Sequence, residues 1–262
     1  MRITLRHFLF LVPLLAWLTP VSAKTVDEMK QDGWDLTFDD EFDATALDAT
    51  KWVPHYNYTT IINHELQAYV PDAFSASGGI LSITAKHEPG VQGGRTQQYR
   101  SGAMTTYGKF SQMYGYFEVR CKLPHGKGFW PAFWLLPDAN HWPPEIDIFE
   151  NIGLEDHILH FTNHWKGPDG KNRGKGQQTN GPDYTADFHT IAVDWEPDKI
   201  VWYVDDVEQC RVTDNIPSEK MYVLLNLAVG GDWPKSPNAD TPFPSTFDID
   251  YVRVYQHQNP PQ

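Results

Sequence analysis

Phe129-Trp130-Pro131-Ala132-Phe133-Trp134-Leu135-Leu136, followed after a short polar break by Glu145-Ile146-Asp147-Ile148-Phe149-Glu150, reads as two neighbouring β-strands. Both runs are short and rich in aromatic or β-branched residues, and Gly128, Pro137 and Pro143-Pro144 bound them. Outward from this pair the same character recurs at residues 80–85, 114–123, 158–165, 189–195, 200–204, 222–229 and 248–255. Turn residues punctuate the runs: Gly78-Gly79, Pro124-His125-Gly126, Pro197-Asp198 and Asp205-Asp206. Helical periodicity is confined to one turn at residues 26–32. Many closely spaced strands without intervening helices imply an all-β protein, a sandwich or jelly roll. Residues 167–183, polar and glycine-rich, are expected to form one long surface loop.

The chain has 262 residues. Residues 1–23 carry Arg2 and Arg6, an apolar run from Phe8 to Leu18 and a small-residue end at Ser22-Ala23, the pattern of a cleaved signal peptide. A secreted protein is therefore expected, with a single domain over residues 24–256 and a disordered tail at 257–262. The net charge is −13, and loss of Arg2 and Arg6 makes it more negative still. That sign argues against a nucleic-acid partner. No later apolar stretch approaches the roughly 20 residues of a membrane span. Cys121 and Cys210 are the only cysteines; Cys121 alternates with Phe117, Val119 and Leu123, the buried side of a strand. Two separate buried thiols are expected rather than one bridge, which export would also permit.

Glu145 and Asp147 share one strand face while Ile146 and Ile148 enter the core. Glu150 breaks this parity. A β-bulge near Ile148-Phe149 would restore it and bring all three carboxylates onto one face. Adjacent carboxylates repel, so one of them keeps its proton to higher pH, which suits a general acid beside a carboxylate nucleophile. An acidic, solvated strand face has the same pattern. In the aromatic strand Phe129, Phe133 and Leu135 form a core face, and Trp130, Ala132 and Trp134 the other. Two indoles flanking a small residue suit either stacked sugar rings or a second core layer.

With its bulge, Glu145-Ile146-Asp147-Ile148-Phe149-Glu150 resembles the Glu-x-Asp-x-x-Glu signature of glycoside hydrolase family 16, in the form carried by laminarinase-type β-glucanases. The accompanying segments occur in the expected order. They are Phe38-Asp39-Asp40-Glu41-Phe42-Asp43, Tyr114-Gly115-Tyr116-Phe117-Glu118-Val119-Arg120, Trp130-Pro131-Ala132-Phe133-Trp134-Leu135, Leu225-Asn226-Leu227-Ala228-Val229-Gly230-Gly231 and Asp250-Tyr251-Val252-Arg253-Val254-Tyr255. The resemblance implies a β-jelly roll sandwich of two antiparallel sheets, concanavalin A-like, with a concave cleft for a β-glucan polysaccharide. It implies a monomer that hydrolyses β-1,3 bonds, with or without neighbouring β-1,4 bonds, and retains configuration. By position Glu145 would be the nucleophile, Glu150 the acid/base and Asp147 the residue tuning the nucleophile. Trp130, Trp134, His164 and Asn63 would contact substrate, and no cofactor is needed for catalysis. A structural calcium ion is implied away from the cleft, at Glu41, the Gly79 carbonyl and Asp250, where a salt-bridged arrangement of the acids is the alternative.

A rival reading makes His157, His160 and His164 metal ligands on a helix, against the strand character of Ile158-Leu159-His160-Phe161-Thr162. Two positions depart from the family pattern. Ser101-Gly102-Ala103-Met104 lacks the arginine that commonly follows Ser-Gly, and His64 stands where a second Asn is common. Both bear on strict β-1,3 specificity. The alternative functions are a non-catalytic glycan-binding jelly roll, disfavoured by retention of all three carboxylates, and a hydrolase of marine galactans, disfavoured by the acidic charge.

Overall fold

The computed structural model describes residues 24–57 and 61–259. Residues 1–23, read as a signal peptide, and 260–262 of the expected tail lie outside the described residues. Two antiparallel sheets dominate. One has six strands in the order Asn172–Asn180, Ile158–Lys166, Glu145–Glu150, Phe129–Pro137, Met221–Val229 and Ala103–Thr105. The other has eight; its centre is Gly115–Lys122, flanked by His189–Trp195 and by the long closing strand Ser245–His257. The opening strand Trp34–Asp40 also pairs with that closing strand. This is the expected β-sandwich of jelly-roll type.

Period-two alternation places the core between the sheets. Phe117, Val119 and Cys121 from the central strand meet Phe133, Leu135 and Leu225 from the facing sheet, all fully or almost fully buried. The outer face of the eight-stranded sheet is partly covered as well. Helix Val26–Gln31, closed by a Thr25/Glu28 capping box, drops Met29 onto Tyr116, Ala192 and Tyr255. Glu118, on the same outward side as Tyr116, is also buried, with Tyr251 and Arg253 among the groups around it. Cys121 and Cys210 are separate buried thiols, as expected.

Two expectations need correction. Residues 167–183 are not one loop, because Asn172–Asn180 pairs along its whole length with Ile158–Lys166 as an edge strand. Its side chains are almost all exposed, so no apolar alternation marks it; main-chain hydrogen bonds hold it in the sheet, supplemented by the Lys175–Asp214 ion pair and the Thr179–Gln209 hydrogen bond. Residues 257 and 258, expected in the disordered tail, are also ordered. His257 is the last strand residue and packs edge-on against Trp34, while the Gln258 N–H donates to the Gly33 carbonyl.

Candidate active site

The six-stranded sheet carries a cleft of about 730 Å³ on the face turned away from the core. Strand register explains how the carboxylates reach it. Ala132 pairs with Glu150 and Phe133 with Phe149, but Trp134 pairs with Asp147, leaving Ile148 as the extra residue of a bulge. Ile148 and Phe149 both point into the core with no exposed surface. The alternation therefore slips by one, and Glu145, Asp147 and Glu150 all line the cleft.

The neighbouring strand places His164 opposite Glu145. Its Nε2 lies 3.1 Å from Asp147 Oδ2 and 3.6 Å from Glu145 Oε1. Gly174, opposite His164 on the edge strand, makes room for this ring, since a Cβ there would sit 2.8 Å from His164 Nδ1. Trp130 and Trp134 face the cleft from the aromatic strand. Trp130 Nε1 donates to Glu150 Oε1 at 2.9 Å. Trp134 is only 9% exposed; its Nε1 donates to Asn226 Oδ1 at 2.9 Å and its ring meets Tyr56 edge-on. Trp134 thus serves both readings of the sequence, as cleft floor and as a packed second layer. Asn63, with φ 53°, lines one end and its Nδ2 donates weakly to Glu65 Oε1 at 3.4 Å.

Burial and mutual repulsion set the electrostatics. Burial lifts the Glu150 carboxyl to about 8, the charge of Glu145 adding to it and the Trp130 N–H opposing. Burial lifts Asp147 to about 6; the charge of Glu150 adds, and the His164 hydrogen bond opposes. Glu145 is held well above the ordinary carboxylate range, first by burial and then by the charge of Asp147. Burial pulls the His164 imidazole down, but its hydrogen bond to Asp147 and the charges of Asp147 and Glu145 lift it overall. The three carboxyls therefore hold fewer than three negative charges at neutral pH, and Glu145 and Asp147 hydrogen-bond one another.

Several cleft residues escaped the sequence reading. Trp142, in the segment before the carboxylate strand, donates its Nε1 to Glu145 Oε2 at 2.8 Å. Glu65 is buried at the cleft wall beneath Gln67, and Trp233 stands edge-on to both Trp130 and His160. Their segments carry no pattern that separates a cleft wall from an ordinary loop. His64 turns away and pairs with Asp232 at the surface. Ala103 is fully buried in one cluster with Tyr56 and Trp134, so the position that lacks the family arginine lies in packed interior and does not line the cleft.

The remaining expected sites divide. His157, His160 and His164 do not gather into a metal site: they lie on or beside a strand, His157 contacts the Gly181 carbonyl, His160 Nε2 contacts Glu155, and His164 serves the carboxylates. Of the residues expected to hold calcium, Gly79 lies close to Glu41: a Cβ added there would sit 3.8 Å from the Glu41 carbonyl oxygen and 3.6 Å from Asp43 Oδ1. The Glu41 carboxylate, however, is forked by Arg253 with both bonds at 2.8 Å, and Asp250 is paired with Arg120. The Glu41 and Asp250 carboxylates thus adopt a salt-bridged arrangement, each with an arginine.

A two-sheet jelly roll whose cleft floor holds three carboxylates on a bulged strand, flanked by indoles, defines a polysaccharide-cleaving hydrolase. The family model of glycosyl hydrolases family 16 matches residues 63–253, and the chain belongs to that family, in its laminarinase-type branch. It is 35% identical to a β-glucanase of Rhodothermus marinus, across 96% of this chain and 95% of that one. It superposes on the laminarinase catalytic domain of Thermotoga maritima with a TM-score of 0.79 at 32% identity, covering 86% of this chain and 99% of the other. SCLam, a non-specific endo-β-1,3(4)-glucanase, aligns with a TM-score of 0.76 at 33% identity, covering 86% and 92% of the two chains. The protein is a glycoside hydrolase.

Proposed function

We propose that the protein is a secreted, retaining endo-β-glucanase that cuts internal β-1,3 bonds, including those beside β-1,4 bonds, by double displacement. The observation that carries this reading is the Ile148 bulge, which turns Glu150 onto the face of Glu145 and Asp147. Glu150, protonated at neutral pH, gives its proton to the glycosidic oxygen as Glu145 attacks the anomeric carbon. Glu145 must be ionised to attack. Shifting the proton of its hydrogen bond across to Asp147 frees it, and the nearby His164 compensates the charge that remains. Glu150, now a base, then takes a proton from the water that releases the glycosyl group.

The similarity to a β-glucanase and to a non-specific β-1,3(4)-glucanase supports the substrate class and a tolerance for both linkages. Residues 1–23 support export. The test is proton NMR of the first products from laminarin and lichenan, taken before mutarotation. An initial β-anomer agrees with retention; an initial α-anomer would mean direct attack by water. Failure to cleave either glucan would end the substrate assignment.

A further inference from the structure

Each of the two proposed catalytic glutamates receives one indole N–H, and the two donors come from different parts of the chain. Trp142 Nε1 reaches Glu145 Oε2 at 2.8 Å from the segment before the carboxylate strand. Trp130 Nε1 reaches Glu150 Oε1 at 2.9 Å from the neighbouring strand, two residues before Ala132, the direct partner of Glu150. Both distances are those of well-formed N–H···O hydrogen bonds. Trp142 is 49% exposed, so packing alone does not explain its orientation. Its segment is fastened by His141, whose Nε2 lies 2.9 Å from Glu219 Oε2 and whose Nδ1 lies 3.0 Å from the Pro143 carbonyl. Trp130 also meets Trp233 in a T-shaped ring contact.

We infer that Trp142 and Trp130 form a matched pair of positioning residues, each holding one oxygen of one catalytic glutamate and biasing that glutamate toward its ionised form. This rests on the assignment of Glu145 as nucleophile and Glu150 as acid/base. An indole can donate but not accept, so it favours the carboxylate over the acid in each case. Glu145 also faces Asp147 on its own strand and His164 on the next. Glu150 faces the charges of Glu145 and Asp147, and His160 is its partner across the strand. Neither set contains a lysine or arginine, which leaves the indoles as fixed donors to these two groups alongside His164. The functional consequence differs between the two. Glu145 works as an anion, so its donor extends activity toward low pH. Glu150 works as an acid, so its donor trims activity at high pH and in exchange makes the proton easier to release.

The experiment is the pH dependence of kcat/KM on laminarin for Trp142→Phe and Trp130→Phe, which keep an aromatic ring and remove the N–H. Trp142→Phe should move the acid limb upward by about one pH unit and leave the basic limb in place, narrowing the bell. Trp130→Phe should move the basic limb upward by about one pH unit, widening it. A merely structural role would lower kcat/KM at every pH or raise KM without moving either limb. Thermal melts of both variants establish that they are folded, and Trp142→His, which keeps a ring donor, should restore the acid limb. Unmoved limbs in folded Phe variants would overturn the inference while Glu145→Gln and Glu150→Gln remain inactive. Activity in either Gln variant would instead overturn the role assignment beneath it.

Discussion

Glu150→Gln should abolish turnover and yet make the protein more stable. Burial and the charge of Glu145 raise this carboxyl from an ordinary value of 4.5 to about 8. Between those values the unfolded chain has released the proton and the folded protein still holds it. Unfolded and folded states thus differ by one bound proton, and stability falls as pH rises through that window. At pH 7 the cost has a ceiling of about 3 kcal/mol, from 1.36 kcal/mol per pH unit. The side chain lines an open cleft, and water there reduces the figure to roughly 1–2 kcal/mol. Glutamine keeps the acceptor for Trp130 Nε1 and never ionises, so it escapes the cost. The expected gain is about 2–6 °C in Tm at pH 7, vanishing near pH 4, together with a loss of several orders of magnitude in kcat. Urea denaturation of both proteins at pH 4, 6, 7 and 8 measures it. A variant equally stable at every pH, or less stable at pH 8 than at pH 4 relative to the parent, would refute the electrostatic account of the site.

Trp134→Ala should raise KM and also destabilise the fold by about 3 kcal/mol, because the residue is both cleft floor and packed layer; a change in KM without any change in Tm would remove the packing role. Glu118→Gln should stabilise the protein at pH 8 by about 2–3 kcal/mol and not at pH 4, since burial lifts that carboxyl to about 7 and the group is almost wholly enclosed. Equal urea midpoints for parent and variant at pH 8 would contradict this. Calcium bound beside Glu41 and Gly79 should stabilise the native state by mass action, so chelation lowers Tm and leaves the initial rate at low temperature unchanged. Superimposable melts of calcium-loaded and stripped protein would take the ion out of the account.

The sequence disclosed most where alternation was strong. Residues 189–195 and 200–204 coincide with the strands His189–Trp195 and Ile200–Val204, because one side of each is continuously apolar. The bulge was legible from parity: Glu150 had to share a face with Ile148 or break the pattern, and burying an acid next to the core is costly. Asn172–Asn180 was not legible, since an exposed edge strand is held by main-chain bonds that leave no mark on side-chain composition. Trp142 was missed for a related reason. Its role depends on where a loop delivers one N–H, and no periodicity encodes that delivery. The pairings of Glu41 with Arg253 and Asp250 with Arg120 depend on side-chain contacts between strands, so the sequence offered the acids and arginines without their partners.

The central claim is that Glu145 forms a covalent bond to the sugar while Glu150 handles the proton. Incubation with a 2-deoxy-2-fluoro laminaribioside carrying a good leaving group slows release of the intermediate, and peptide mass spectrometry then locates the adduct. The account predicts one glycosyl unit on the carboxylate of Glu145. An adduct on Asp147 or Glu150, or turnover without any adduct, would contradict it.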